Sequence, residues 1–379
     1  MTTTVKGAKR AAEYYHLSRP EVTDDDVRAV VEVLRSPSLA LGPRLAAFEK
    51  AFAEYIGRRH AVAVNSGTSG LHLAVRALGI SDGDEVVTTP FSFVASANCV
   101  LFERAVPKFV DIDPETLNLD VLKMKKAITE KTKAILPVHI FGLPSNMDAV
   151  CDLAKTNDLA VIEDACEAIG ATYKGRRVGV YGDAAVFAFY PNKQMTTGEG
   201  GVLVTDDTGI AEAARSMRNQ GRSDNGGWLD HVRLGFNYRL DEMSAALGLS
   251  QLGRIDDILA RRGGVAAWYN DALASVRGVK TLPDAPHTTR SWFVYVVVLD
   301  AGIDRQKVIA RLEALGVQSR AYFSPIHLQP FYREAFGYSE GAFPVCEDIA
   351  NRTLALPFYN SLSKSDVESI SHRLAEALK

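Results

Sequence analysis

Three short stretches hold the side chains that could do chemistry. "FAFYPNKQMTTGEGG", residues 187–201, sets the single Lys193 between an apolar run and a turn rich in Thr and Gly. A lysine there is either a solvated surface cation or an amine nucleophile, and a nucleophile must be able to shed its proton. Pro191, Thr196, Thr197, Gly198, Gly200 and Gly201 mark a tightly shaped loop with room for a ligand close to the backbone. "LAVIEDA" brings Asp164 to the end of a buried strand. A carboxylate there needs a partner, because desolvation disfavours its charge. An Arg or Ser, a metal, or a protonated heterocyclic nitrogen would each serve; no His/Asp cluster at ligand spacing supports a metal. "NSGTSGLHLAVRAL" places Gly67 and Gly70 around Thr68 and Ser69 where a helical pattern starts. That is either a Ser/Thr-rich helix cap or a phosphate seat built from free amides, the helix dipole and two hydroxyls.

An amine for an aldehyde, a carboxylate for a pyridinium nitrogen and a seat for a phosphate together match pyridoxal phosphate (PLP). Phe93, in "FSFVAS", supplies either a flat face for the ring or plain core packing.

These residues all follow apolar runs. "HAVAV", "DEVVTT", "AVPKFVDI", "TKAILPVHIFG", "LAVIEDA" and "DAAVFAF" alternate with helical patterns. The pattern predicts an α/β layer with a mostly parallel sheet, and ligands in such sheets sit at the carboxyl ends of strands. One helix is expected near Leu119–Ile128, and another after Thr23 as N-cap. From Arg239 the pattern becomes helical, with an interruption expected near Gly263-Gly264. The strand "WFVYVVVLD" and two amphipathic helices follow, in "DRQKVIARLEAL" and "SKSDVESISHRLAEAL". The expected division is an N-terminal segment and large α/β domain over 1–250, then a smaller α+β domain over 251–379.

At 379 residues, 47% hydrophobic and 23% charged, the chain has the composition of a soluble globular protein of more than one core. Its net charge of −3 gives no footprint for nucleic acid or an anionic membrane. No apolar stretch is long enough to span a bilayer, and "MTTTVKGAKRAAEYY" lacks the apolar core of a secretory signal. Cys99, Cys151, Cys166 and Cys346 show no C-x-x-C spacing and read as buried small hydrophobes in a reducing compartment, so a cytoplasmic location is expected.

From about Leu17 to the C-terminus the chain resembles the DegT/StrS sugar aminotransferases, which share the aspartate-aminotransferase fold (fold type I). The motifs occur in family order: "LGPRLAAFEKAFA", "NSGTSGLHLA", "PFSFVASANCV", "PVHIFGLPSNMDAV", the stretch from "IEDACEAIG" through "FAFYPNKQMTTGEGG", "MRNQGR", "GFNYRLDEMSAALGLSQL" and "SPIHLQPFY". The resemblance implies that Lys193 forms the internal aldimine, Asp164 pairs with the pyridinium nitrogen, Phe93 stacks on the ring, and Gly67 and Thr68 hold the phosphate. It implies that Asn237 reaches the phosphate of a partner subunit, making a homodimer with shared sites. Arg239, Tyr190 and His327 fall where the family approaches the sugar nucleotide.

Two positions depart from the common pattern: Ala188 stands where the family often has Ser, and Glu167 where Gln or His is common. Ser66 or Ser69 is expected to compensate for the first. Glu167 is expected near the ring hydroxyl, as in perosamine-synthase-like members. Together with "TTGEGG" it points to amination at C4 of a nucleotide-linked 4-keto-6-deoxyhexose, with L-glutamate as donor. C3 amination is the alternative. A PLP-dependent sugar dehydratase would carry His in place of Lys193, a non-catalytic relative would not need the intact set, and a nicotinamide enzyme would show G-x-G-x-x-G after its first strand.

Overall fold

The computed structural model describes residues 14–223, 227 and 230–379; the N-terminal stretch read above for a secretory signal lies, up to residue 13, outside them. The helices are α1 (Asp24–Leu34), α2 (Pro43–Ile56), α3 (Gly67–Ala77), α4 (Ala95–Leu101), α5 (Val121–Ala127), α6 (Met147–Thr156), α7 (Thr208–Arg218), α8 (Glu242–Leu252), α9 (Ile255–Leu273), α10 (Arg305–Ala314), α11 (Pro330–Phe336), α12 (Pro344–Arg352) and α13 (Lys364–Ala377). The strands are β1 (His60–Val64), β2 (Glu85–Thr88), β3 (Val106–Phe109), β4 (Thr132–Ile135), β5 (Ala160–Asp164), β6 (Thr172–Tyr173), β7 (Arg176–Arg177), β8 (Ala184–Ala188), β9 (Gly201–Thr205), β10 (Val279–Thr281), β11 (Thr288–Thr289), β12 (Tyr295–Leu299) and β13 (Thr353–Leu356).

Seven strands form the large sheet, in the order β1-β9-β8-β5-β4-β2-β3. From β8 to β3 every neighbouring pair is parallel, whereas β9 runs antiparallel to both β8 and β1. The strands are short apolar runs because both faces are covered. Their alternation divides the core in two. Val62, Val64, Val186 and Leu203 face one cluster, with Leu71, Leu73 and Ala74 of α3. Ala61, Ala63, Ala185, Phe187, Val202 and Val204 face the other, with Phe48 and Phe52 of α2 and Leu252 of α8.

A second sheet, β10-β12-β13, carries its own core. Tyr295, Val297 and Leu299 pack with Val265, Tyr269 and Leu273 of α9 and with Ile370 and Leu374 of α13. The alternate residues Val294, Val296 and Val298 turn back onto the cluster of the large sheet. α9 joins both units: Ile255 and Ile258 belong to the large core, Val265 to Leu273 to the small one. We propose that the division between the units runs through α9. Tyr15 lies in the small core and pairs with Val317, so the start of the described chain packs with the C-terminal unit.

The interruption expected at Gly263-Gly264 is not there. α9 runs unbroken through both glycines, and the helical stretch breaks earlier, at Gly253 and Arg254 between α8 and α9. No helix among the described residues is long and apolar enough to cross a membrane.

α2 begins at Gly42-Pro43 without a side-chain cap of its own. The missing acceptor comes from Glu242, in the first turn of α8. Its carboxylate takes the amides of Gly42 (2.9 Å), Arg44 (2.8 Å) and Leu45 (2.9 Å) in a site only 1% exposed. Glu242→Ala strands these donors and is expected to cost on the order of 3 kcal/mol, because buried polar groups then lose their partners. Urea unfolding measures this; an unchanged midpoint would show that α2 is held by packing alone.

Candidate active site

β5, β8 and β1 end at one edge of the sheet, and the sequence that follows each delivers part of a common cavity of about 560 Å³. Its walls include Thr68, Phe93, Asp164, Glu167, Tyr190 and Lys193, so the structure brings most of the expected residues together.

Asp164 closes β5. Its Oδ2 accepts from the Ser96 hydroxyl at 2.7 Å, and Oδ1 accepts from the Cys166 amide at 3.1 Å. Ser92 supports Ser96 through a 2.8 Å hydroxyl contact. Ser92 and Ser96 are four residues apart at the turn into α4, which puts both hydroxyls on one side. Asp164 is 5% exposed, and no ion pair among the described residues neutralises it. A buried carboxylate with two donors and no cation is a site made for a cationic partner.

Lys193 sits in the loop after β8. Its backbone amide closes a turn onto the Tyr190 carbonyl at 2.9 Å. The Nζ lies 3.5 Å from Oε1 of Glu167 and 3.9 Å from the centre of the Phe293 ring. Glu167 Oε2 accepts from the Phe141 amide at 2.9 Å. Burial pushes the Glu167 carboxyl above the usual carboxylate range and Asp164 adds to this, while Lys193 and the Phe141 amide pull it down. The neighbouring Gln194 is 4% exposed and clamps the loop: its Nε2 contacts the Glu167 carbonyl at 2.7 Å and the Ser291 hydroxyl at 2.9 Å.

The third element is the start of α3. Ser66 is its N-cap, accepting from the Ser69 amide at 3.1 Å. The Ser69 hydroxyl turns away to Asn65 at 2.7 Å, and Ser66 and Ser69 contact each other at 2.9 Å. Both hydroxyls are therefore spent on the cap, and it is Thr68, with Gly67 and Ser66, that lines the cavity. A Cβ on Gly67 would lie 2.7 Å from the Ala188 Cβ, and one on Gly201 would lie 2.8 Å from the Gly67 amide nitrogen. Glycine and the small Ala188 thus let the helix start press onto β8 and β9. The glycine at 201 serves this approach rather than room for a ligand.

Other expected residues fall elsewhere. His327 lies off the cavity lining: it is completely buried, its Nε2 3.0 Å from Glu347 and its ring against Phe343. Ile326 and Gln329 on either side line an adjoining groove of about 900 Å³, which meets the cavity at Ser92, Phe93 and Phe323. Arg239 bridges to Asn219 at 3.1 Å, and neither it nor the exposed Asn237 lines the cavity of its own chain. Phe93 stands 60% exposed at the rim. Phe293, Tyr322 and Phe323 join the walls from the C-terminal half. Nothing local in the sequence announces them, since sheet packing alone brings them there.

An amine, an unneutralised carboxylate and a row of helix amides around one cavity fit the aldehyde, pyridine nitrogen and phosphate of PLP. Gly67→Ala is expected to destabilise the protein by ~2 kcal/mol through overpacking and to weaken PLP retention, measured by thermal midpoint and by cofactor titration. Unchanged affinity would remove the helix start from the phosphate site.

Residues 20–375 match the model of the DegT/DnrJ/EryC1/StrS aminotransferase family. The chain is 42% identical to a GDP-perosamine synthase of Caulobacter vibrioides over 342 residues, covering 89% of this chain and 91% of that protein. Among solved structures it is similar to S. venezuelae DesV in complex with a ketimine intermediate, with a TM-score of 0.88, 36% identity and coverage of 96% and 99%. It is also similar to Helicobacter pylori PseC, an aminotransferase involved in the biosynthesis of pseudoaminic acid, with a TM-score of 0.92, 30% identity and coverage of 97% and 99%. The chain has the fold of the PLP-dependent aminotransferases and belongs to the DegT/DnrJ/EryC1/StrS family, as a PLP-dependent sugar aminotransferase.

Proposed function

We propose that this enzyme moves the amino group of L-glutamate to C4 of a nucleotide-linked 4-keto-6-deoxyhexose. The observation that carries the transaminase chemistry is the pairing of the Lys193 amine with the cation-free Asp164 carboxylate across one cavity. The similarity to a GDP-perosamine synthase, together with Glu167 and "TTGEGG", supports C4 as the position. The adjoining groove supports a substrate longer than an amino acid.

PLP supplies an aldehyde that condenses with amines and a ring that accepts electrons. The rest is done by the chain. Lys193 would hold the aldehyde carbon of the cofactor, and its amine would be the acid/base that moves the proton at the substrate carbon. Asp164 would keep a proton on the ring nitrogen, with Ser96 and the Cys166 amide holding the carboxylate in place. The amides at the start of α3 would hold the phosphate dianion. Phe93, Phe293 and Phe323 narrow the water-accessible space around the amine.

We also propose that the working unit is a homodimer with shared sites. Among the described residues lining the cavity, Lys193 is the lone cation, beside Asp164, Glu167 and Glu199. A phosphate, an amino-acid carboxylate and a sugar diphosphate all need positive or donor groups from elsewhere. Asn237 and Arg239, outside their own cavity, are the residues we assign to the partner's site.

Adding L-glutamate to the PLP-loaded enzyme is expected to replace the absorbance of lysine-bound cofactor by that of the pyridoxamine form. A GDP-, UDP- or dTDP-linked 4-keto-6-deoxyhexose should restore it and yield the 4-amino sugar. Lys193→Ala should show neither change. A product aminated at C3 would refute the C4 assignment; a glutamate-inert spectrum would refute the donor.

For the shared site, Lys193→Ala and Asn237→Ala should each be inactive alone. Mixed and allowed to exchange subunits, they should regain up to about one quarter of wild-type activity if each site draws on both chains. A fully active monomer in sedimentation would overturn this.

A further inference from the structure

Glu167 has its two oxygens in different company. Oε2 is held by the Phe141 amide at 2.9 Å, and the backbone of the residue is tied down by Gln194 at 2.7 Å. Oε1 faces the Lys193 Nζ at 3.5 Å. The two side chains are 7% and 13% exposed, so bulk water has little access to the pair. Asp164, the other buried carboxylate of the cavity, has both oxygens engaged by Ser96 and the Cys166 amide. A lysine must lose a proton before it can attack a carbonyl, and on this geometry one oxygen stands ready to take it.

We propose that Glu167 is the proton acceptor that converts the Lys193 ammonium to the nucleophilic amine when PLP is loaded. This role rests on the PLP reading above and differs from a contact to the ring hydroxyl. In the step, a proton passes from Nζ to Oε1, and the Nζ lone pair forms the bond to the aldehyde carbon. The carbonyl oxygen leaves as water, with two of the three ammonium protons, one of them handed back by Glu167. The third stays on the nitrogen of the C=N bond. Glu167 ends as it began, and no oxidant or reductant is needed.

The groups facing Glu167 set its basicity. Burial and the nearby Asp164 favour its protonated form, and Lys193 opposes them. Desolvation raises the half-buried Cys166 thiol, and Tyr322 is raised with Glu167 among the causes, so both stay neutral beside it. A carboxylate more basic than usual is the better acceptor for an amine proton.

The test is the rate at which the apoenzyme binds PLP covalently, followed by absorbance over a range of pH, with no turnover involved. Glu167→Gln keeps the size and an acceptor for the Phe141 amide. Its loading rate is expected to fall by about 10- to 100-fold near pH 7. The deficit should narrow as pH rises, because hydroxide then takes the proton instead. In Glu167→Ala, formate should restore part of the rate, whereas wild type should not respond. Glu167→Gln loading at the wild-type rate at every pH would overturn the proposal and leave the PLP reading intact. An equal deficit at all pH values with no formate rescue would also overturn it, leaving Glu167 a structural part. Failure of the wild type itself to load PLP would instead strike the reading on which the proposal stands.

Discussion

A carboxylate held in a dry place without a cation is the constraint on which this site depends. Asp164 is buried at the end of β5, yet its partners are a hydroxyl and an amide. Such a carboxylate is tolerated because α4 is turned so that Ser96 reaches it, with Ser92 behind. The parallel run from β5 to β8 then places the lysine loop alongside. The carboxylate is left lining the cavity with no cationic partner among the described residues.

The helix start opposite is built as closely. α3 caps itself with Ser66 and Ser69, and Ser66, Gly67 and Thr68 line the cavity. It lies against β8 and β9 because residues 67 and 201 lack a Cβ and residue 188 has a small one. The cost is that no larger side chain fits at this junction.

The small unit contributes by reaching in. Ser291 accepts from Gln194 and donates to the Ile169 carbonyl at 2.5 Å, while its amide meets the Gly142 carbonyl at 3.0 Å. Three loops at the strand ends are thereby tied to one residue of the C-terminal half. Two residues later Phe293 lies beside the lysine ammonium, where a ring face favours the cation. Glu167 opposes it with a carboxylate. The Lys193 Nζ is thus held between a ring face and a carboxylate oxygen.

Most strands of the large sheet, several helix starts and the three stretches that meet at the cavity were legible in the sequence, whereas β9 and β13 were not. Their signals are local: apolar runs bounded by turns, Thr23 and the Ser/Thr-rich turn at Ser66–Ser69 at helix starts, Asp164 at the end of a strand and Lys193 after one. Gly263-Gly264 misled, because two glycines weaken a helix by only about 2 kcal/mol, and the packing of α9 on two cores outweighs that. His327 lies off the cavity lining because a motif fixes chain position but not which side of the chain faces the cavity. Only the tertiary structure decided that Ser96, Glu242, Ser291 and Phe293 matter. Each acts on a residue far away in the chain, and such pairings arise from sheet order and packing, which leave no periodic mark on either partner. What the sequence alone determined was the chemistry available; the fold decided which oxygen faces which nitrogen.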